Sequence, residues 1–555
     1  MRAVLACMSL LTACGSGQMP EAVSPTRPLA SRAQANSTVT WNLDVGGEPW
    51  TLRLGTSPTL EVGSAPVPVD AVDQTPTTLL FKAPGLSFAL TVEEGVAAGR
   101  VTDLSGESRH VTGWSERPDQ GATAWWVELG DGTAAHLRLE PDAGTVKVVA
   151  PEQLELPVHP VRLAHGAVEL DVADAAASES WSGAMRGERF EGSMTRGSES
   201  ALRFDGRRTQ LLWHGAGADR EGWQERTRRQ LRLLMQGGEV EPLESTVTLG
   251  PEQPAPELNV AALSPTRDDS PDPSSGLYRL SELTLTESMR NARGGLLARE
   301  IHGWLATPAG EVPPGGWPAA VVLNGHGGSA ASTFDPNELW YWYGDALARR
   351  GVLVLAIDVG HRPLADRSDL YTDSLDGPQL PAIAEVGMDS DWEEDGERAW
   401  DAMRAGALLR TLPGVDAQRV FVVGLSMGGE VAAWAAALDP EFSGAVIAGF
   451  TPDLDVLAGR ANHPCWKWRH ADVRQYVDLS DVFALIAPRR AVIEIGLADG
   501  MFTDVVPPSA SGEEIVARAA AAWQGAPDNL VTLVHDGGHQ FRFPAALELM
   551  MRATK

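Results

Sequence analysis

The chain has 555 residues, too many for one hydrophobic core, so two to four domains are expected. With 43% hydrophobic and 21% charged residues, it lies in the ordinary globular range. A formal net charge of −29 repels phosphate, which excludes nucleic acid and anionic membrane surfaces as charge-driven partners and fits a soluble, self-repelling surface.

Arg2 is followed by an apolar stretch, Ala3 to Ala13, broken only by Ser9 and Thr12. That is too short for a membrane span and right for the core of a signal peptide. It ends in Leu11-Thr12-Ala13-Cys14-Gly15, which resembles a bacterial lipobox. The resemblance implies removal of residues 1–13 and lipidation of Cys14, hence a cell-envelope location held by lipid alone, the outer membrane being the favoured one; an ordinary cleaved signal with secretion, and a misassigned start, are the other readings. The remaining cysteines are Cys7 and Cys465, so with Cys14 lipidated Cys465 has no partner for an internal disulfide and reads as a small buried hydrophobe. Residues 14–38, rich in Ser, Pro, Ala and Gln, read as a flexible tether.

From Thr38 to Phe204 the apolar pattern has period two, as in Thr51-Leu52-Arg53-Leu54 and His136-Leu137-Arg138-Leu139, with frequent Gly, Asp and Pro. This is an all-β signature. Ala65-Pro66-Val67-Pro68-Val69 and Gly99-Arg100-Val101-Thr102 recur as Leu156-Pro157-Val158-His159-Pro160-Val161 and Gly192-Ser193-Met194-Thr195. An offset of about 91 to 93 residues suggests two related β-modules, at 39–133 and 134–205; chance likeness of β-rich segments is the competing explanation. Residues 206–275 read as a connecting segment. It holds a short helix at 221–236 and, between Pro251 and Pro273, a proline-rich linker in which the ring removes backbone donors.

After Gly276 short apolar runs alternate with helical stretches. Ala319 to Leu323, Gly351 to Asp358, Arg419 to Val423, Gly444 to Ala448 and Ala491 to Ile495 read as strands buried on both faces. Leu339 to Arg350, Glu397 to Leu412 and Val431 to Leu438 read as helices. Such alternation implies a mostly parallel sheet with helices on both faces, over 276–555.

Gly424-Leu425-Ser426-Met427-Gly428 follows the Val420 to Val423 strand and opens a helix. The motif alone is common, but a strand–turn–helix setting is what a nucleophile elbow requires. Ser426 is the candidate nucleophile and needs a base. His539, in Gly537-Gly538-His539, lies in a loop past the Val531 to Val534 strand and is preferred over His535 at the strand's end. Asp499, at the end of the Ala491 to Ile495 strand, is the candidate orienting acid, with Asp504 as the alternative. The order Ser426, Asp499, His539 is that of α/β-hydrolases. Oxyanion donors are expected from the amide of Met427 and from the loop Leu323-Asn324-Gly325-His326-Gly327-Gly328-Ser329, at the His326 amide or that of Gly327.

Residues 276–555 resemble the bacterial acetyl-xylan-esterase and dienelactone-hydrolase-related group of α/β-hydrolases. The resemblance is carried by Gly325-His326-Gly327-Gly328, Gly396-Glu397-Arg398 with Trp400-Asp401-Ala402, Gly424 to Gly429, Ala436-Ala437-Leu438-Asp439, Leu485-Ile486-Ala487-Pro488-Arg489 and Gly537-Gly538-His539. It implies an α/β-hydrolase domain after the all-β N-terminal region, carboxylester hydrolysis without a cofactor or metal, and Ser426, Asp499 and His539 as triad. Dienelactone hydrolases proper use cysteine, so Ser426 departs from them; many relatives have His-Gly where this chain has Asn324-Gly325. An esterase acting on an ester such as an acetylated carbohydrate is the leading function. A peptidase with the same triad and a non-catalytic surface-binding lipoprotein are the alternatives; about 170 residues of β-structure is too little for the seven-bladed propeller of prolyl-peptidase-like enzymes. The aromatics of Trp340-Tyr341-Trp342-Tyr343 and Cys465-Trp466-Lys467-Trp468 suit sugar stacking or plain packing, packing being preferred. Asp389 to Glu397 reads as a solvated helix start rather than a metal site.

Overall fold

The computed structural model describes residues 39–115, 123–209, 220–269, 277–359, 394–451, 473, 477, 479–500 and 508–552, less short stretches within the first two ranges and residue 293. The signal and tether with Cys14, and Asp504, Cys465 to Trp468 and Asp389 to Glu393, lie outside the described residues.

Nine strands between Val39 and Ser115 form an antiparallel meander whose first strand, Val39–Val45, pairs with its last, Ser108–Ser115. Alternation drives the pairing: in Thr78–Ala83, Leu79, Phe81 and Ala83 are buried and the residues between them face out. Phe81 stacks on Phe88 at 4.1 Å between ring centroids. The end strands of this order, Ala65–Pro68 and Asp70–Gln74, are separated along the chain by Val69 alone. One stretch of chain therefore supplies both edge strands of the sheet. Strands from Thr123 to Thr209 form a closed eight-stranded barrel, again with the first and last paired.

Pairings in the two β-units can be set side by side. Leu52 faces Trp41 and Leu137 faces Trp125. Gly99 lies opposite Leu90 and Val111, and Gly192 opposite Gly183 and Phe204, each glycine in the penultimate strand of its unit. The boundary expected at 133/134 falls between Thr123–Leu129 and Ala134–Glu140, which pair within the barrel.

The third body is a mixed ten-stranded sheet. Its order is Glu241–Leu249, Tyr278–Arg290, Leu296–Pro308, Leu353–Ile357, Trp317–Leu323, Val415–Leu425, Gly444–Ala448, Arg490–Gly496 and Leu530–His535, with Gln253–Pro254 pairing beside the second. The first four run antiparallel to one another, and from Leu353–Ile357 onward every pairing is parallel. Strand Trp317–Leu323 is buried at all seven positions. Ala319, Val321 and Leu323 face one core with helices Arg220–Gln236, Glu394–Thr411, Met427–Leu438, Leu479–Ile486 and Pro508–Ala520. Ala320 and Val322 face the other, with Tyr343–Arg349 and Phe543–Met551. Burying a side chain such as Val321 or Leu323 contributes roughly 1.5–3 kcal/mol, so a charge at Val321 would break the sheet's centre.

Helix Arg220–Gln236 belongs to this body, upstream of the expected start at 276. Gln224 donates to the Ala484 and Ala487 carbonyls at 2.9 and 2.7 Å, Arg228 to Ala437 and Leu485 at 2.8 and 2.7 Å, and Arg232 to Leu438 at 2.9 Å. These acceptors are the orphan carbonyls at the ends of Met427–Leu438 and Leu479–Ile486. Arg489, from the Ala-Pro-Arg stretch, adds bonds to Ala436 and Phe442 at 2.6 and 3.0 Å. The carboxylates at the start of Glu394–Thr411 are not solvated as expected. Asp395 and Glu397 are buried, and Arg299 lies between Glu397 and Asp401, because burial of this helix face leaves its charges only protein partners.

Candidate active site

Val415–Leu425 ends at Ser426, which has φ 62° and ψ −125° and is the only non-glycine residue with positive φ among the described residues. Such a conformation costs of order 1–3 kcal/mol and persists only where its surroundings fix it. Here the Ser426 amide donates to the Ala448 carbonyl at 2.9 Å, and the Ser426 carbonyl accepts from Glu430 at 3.0 Å, opening helix Met427–Leu438. The helix comes so close to the neighbouring strand Trp317–Leu323 that a Cβ on Gly428 would stand 2.2 Å from the Leu323 carbonyl oxygen. The glycine the motif demands is thus explained by backbone contact.

His539 and Asp499 come together past the ends of the sheet's last two strands, Arg490–Gly496 and Leu530–His535. The His539 Nδ1 lies 2.8 Å from Asp499 Oδ2. With the Asp499 carboxylate accepting, Nδ1 is the donor, which in the neutral imidazole leaves Nε2 with its lone pair. Asp499 is nearly buried and His539 retains 16% side-chain exposure, enough for a reactant to approach it. The two loops are laced together by Leu497 N to His535 O at 2.8 Å and Ala498 N to Gly537 O at 3.1 Å. His535 does different work: its Nδ1 accepts from the Gly537 amide at 3.1 Å. Burial, with Arg542 nearby, holds the His535 pKa below the ordinary histidine value, which keeps that acceptor free of a proton.

Gly449, which the sequence reading passed over, joins the two halves. It follows Gly444–Ala448, the strand beside the elbow, with φ 58°. A Cβ there would stand 3.0 Å from His539 Cε1 and Nδ1 and from Leu425 Cδ1. Ser426 and His539 therefore abut one turn, Ala448–Gly449.

Leu323 is in register with Gly424, so the loop after it runs beside the elbow. Its turn is closed by Gly328 N to Gly325 O at 3.1 Å, with Gly327 at φ 74°. His326 is half-buried and Gly327 exposed. The hydroxyl of Tyr341 donates to the His326 carbonyl at 2.8 Å. A peptide's N–H opposes its carbonyl, so this bond turns the Gly327 amide away from Tyr341. Met427 opens the helix on the other side, its amide among the unpaired donors of a helix N-terminus. Asn324 is buried, its amide group donating to Gly325 O at 3.0 Å. Of the four aromatics 340–343, three are packed and Trp340 alone is exposed, at 43%. Among the described residues no group of three or more His, Cys, Asp or Glu is placed to hold a metal ion.

No protein-family model matches the chain, and no curated protein matches it. Solved structures similar to it include acetyl xylan esterases and glucuronoyl esterases. One is a glucuronoyl esterase from Teredinibacter turnerae: 18% identity, TM-score 0.40, covering 62% of this chain and 88% of that one. An acetyl xylan esterase from Paenibacillus sp. R4 shows 20% identity and TM-score 0.34, covering 62% and 95%. Acetyl xylan esterase 1 from Thermoanaerobacterium sp. shows 18% identity and TM-score 0.35, covering 61% and 94%.

Proposed function

We propose that this chain is a serine hydrolase of the α/β-hydrolase type that cleaves carboxylic esters through an acyl-enzyme. The observation that carries the reading is the strained Ser426 at a strand-to-helix turn, with the His539–Asp499 pair against the same Ala448–Gly449 turn. The Ser426 hydroxyl attacks the acyl carbon and His539 Nε2 takes its proton. The amides of Met427 and His326 donate to the oxyanion as it forms. The tetrahedral intermediate collapses, the acyl–oxygen bond breaks, and the leaving alkoxide takes the proton from His539. Water then repeats the sequence, releasing the acid and restoring the Ser426 hydroxyl. Asp499 keeps the proton on Nδ1, so that Nε2 faces the reaction, and stabilises the imidazolium.

The substrate class proposed is an acylated carbohydrate, on the motif resemblance to the acetyl-xylan-esterase group. We also propose that Leu11-Thr12-Ala13-Cys14-Gly15 directs lipid to Cys14 and holds the enzyme at the cell envelope. A matched pair of substrates tests the chemistry: p-nitrophenyl acetate and the corresponding p-nitroanilide. Ester turnover at least about 10³-fold faster than amide turnover is expected, amides being the harder bond. Amide turnover equal to or above that of the ester overturns the esterase reading in favour of a peptidase.

A further inference from the structure

Residues 264–269, Ser-Pro-Thr-Arg-Asp-Asp, belong to the stretch expected as a linker, yet they are bound on two sides. Ser264 donates to the Leu339 carbonyl at 3.1 Å, Thr266 donates to the same oxygen, and Trp342 Nε1 donates to Thr266 at 3.1 Å. Between them sits Tyr341, whose hydroxyl holds the His326 carbonyl. On the other side Asp268 accepts the Phe543 amide at 3.1 Å and pairs with Arg542 Nε at 3.0 Å. The Arg542 amide in turn donates to Glu494 Oε2 at 2.9 Å. Arg542 follows His539 by three residues and precedes helix Phe543–Met551. Asp268 and Glu494 thus do for this helix what an N-cap side chain would do; its own cap residue, Arg542, makes no such bond.

The strap's anchor is Arg267, whose side chain is buried between Asp269 at 2.5 Å and Asp345 at 2.9 Å. Burying ion pairs is a poor way to gain stability, since apolar residues of the same volume do as well or better. Charged groups with fixed directions instead define one position for the segment. We infer that residues 264–269 are a positioning brace for both catalytic loops: Asp268 sets the His539 loop through Arg542 and Phe543, and Thr266 steadies the His326 loop through Leu339 to Tyr341. The brace rests on the hydrolase reading for its purpose, though not for its contacts. It also makes the segment that follows the β-modules part of the site's support.

Asp268→Asn tests it, because the amide oxygen still accepts from Phe543 while the charge facing Arg542 is gone. Arg542→Gln, at a partly exposed side chain, is the second variant, and the double variant completes the cycle. The readouts are amide hydrogen exchange in Gly537 to Phe543 and kcat and KM on p-nitrophenyl acetate. Exchange of the Arg542 and Phe543 amides is expected to rise about tenfold. The kcat is expected to fall about tenfold with KM within about twofold, and the double variant to be no worse than the worse single one. Unchanged kcat in an active enzyme, or additive losses in the double variant, overturns the brace. A parent that turns over no ester removes the hydrolase reading; the exchange response then decides the brace alone, supporting it if present and overturning it if absent.

Discussion

Gly449→Ala puts a methyl group against the imidazole. The added carbon would lie 3.0 Å from His539 Cε1 and Nδ1, where carbon contacts settle at about 3.5–4.0 Å, so the ring must retreat by about half an ångström. It cannot do so freely, because the same Nδ1 makes the 2.8 Å bond to Asp499. A misplacement of about 1 Å costs roughly a hundredfold, so half of that predicts about a tenfold loss of kcat with KM little changed. Positive φ at 449 adds about 1 kcal/mol of backbone strain, which in a body of this size lowers Tm by a few degrees. Steady-state kinetics on p-nitrophenyl acetate beside a thermal melt separates the two effects. Full kcat with only the lowered Tm would refute the reasoning, since the imidazole touching Gly449 would then not be the base.

The two histidines should part company. His539→Gln is expected to lose at least about 10³-fold in kcat, whereas His535→Gln, whose amide oxygen can still accept from Gly537, keeps most of it. Because His535 has its pKa lowered in the fold, its contribution to stability is present above the ordinary histidine value and is lost as pH falls through the lowered one. Melts of His535→Gln should therefore lose less Tm on acidification than those of the parent; an equal loss contradicts this. Glu494 behaves oppositely. Burial raises its pKa well above the ordinary value, so the fold favours the protonated form, and stability falls as pH rises from the carboxylate range through the raised value. Glu494→Gln should flatten that alkaline decline in Tm, and a decline as steep as the parent's would show that Glu494 is not its source.

The sheet's centre was legible because Trp317–Leu323 and its neighbours are buried on both faces, and continuous apolar runs carry that signal. Ser426, Asp499 and His539 were legible as strand-end residues in a fixed order, and the structure brings the last two to 2.8 Å. The body's beginning was not legible. Helix Arg220–Gln236 shows Arg and Gln on a face that reads as solvated, but the acceptors are helix-end carbonyls more than 200 residues away. Residues 264–269 hid for the same reason: a polar, proline-flanked run reads as linker, and only tertiary contact reveals Arg267 between two carboxylates. Asp395 and Glu397 looked solvated because Arg299 stands far off in sequence. Gly449 sits in no motif, and its importance is a matter of distance to His539. The period-two pattern of the N-terminal region marked its strands, while the pairing of first with last strand, being long-range, left no local trace.

The central claim is that Ser426 is the nucleophile. Treating the purified protein with a fluorophosphonate probe, and locating the adduct by peptide mass, tests it directly beside ester turnover by Ser426→Ala. Labelling at Ser426, with turnover lost by at least about 10⁴-fold in the variant, is the predicted result. An unlabelled Ser426, or a variant that still hydrolyses the ester at the parent's rate, would contradict the account.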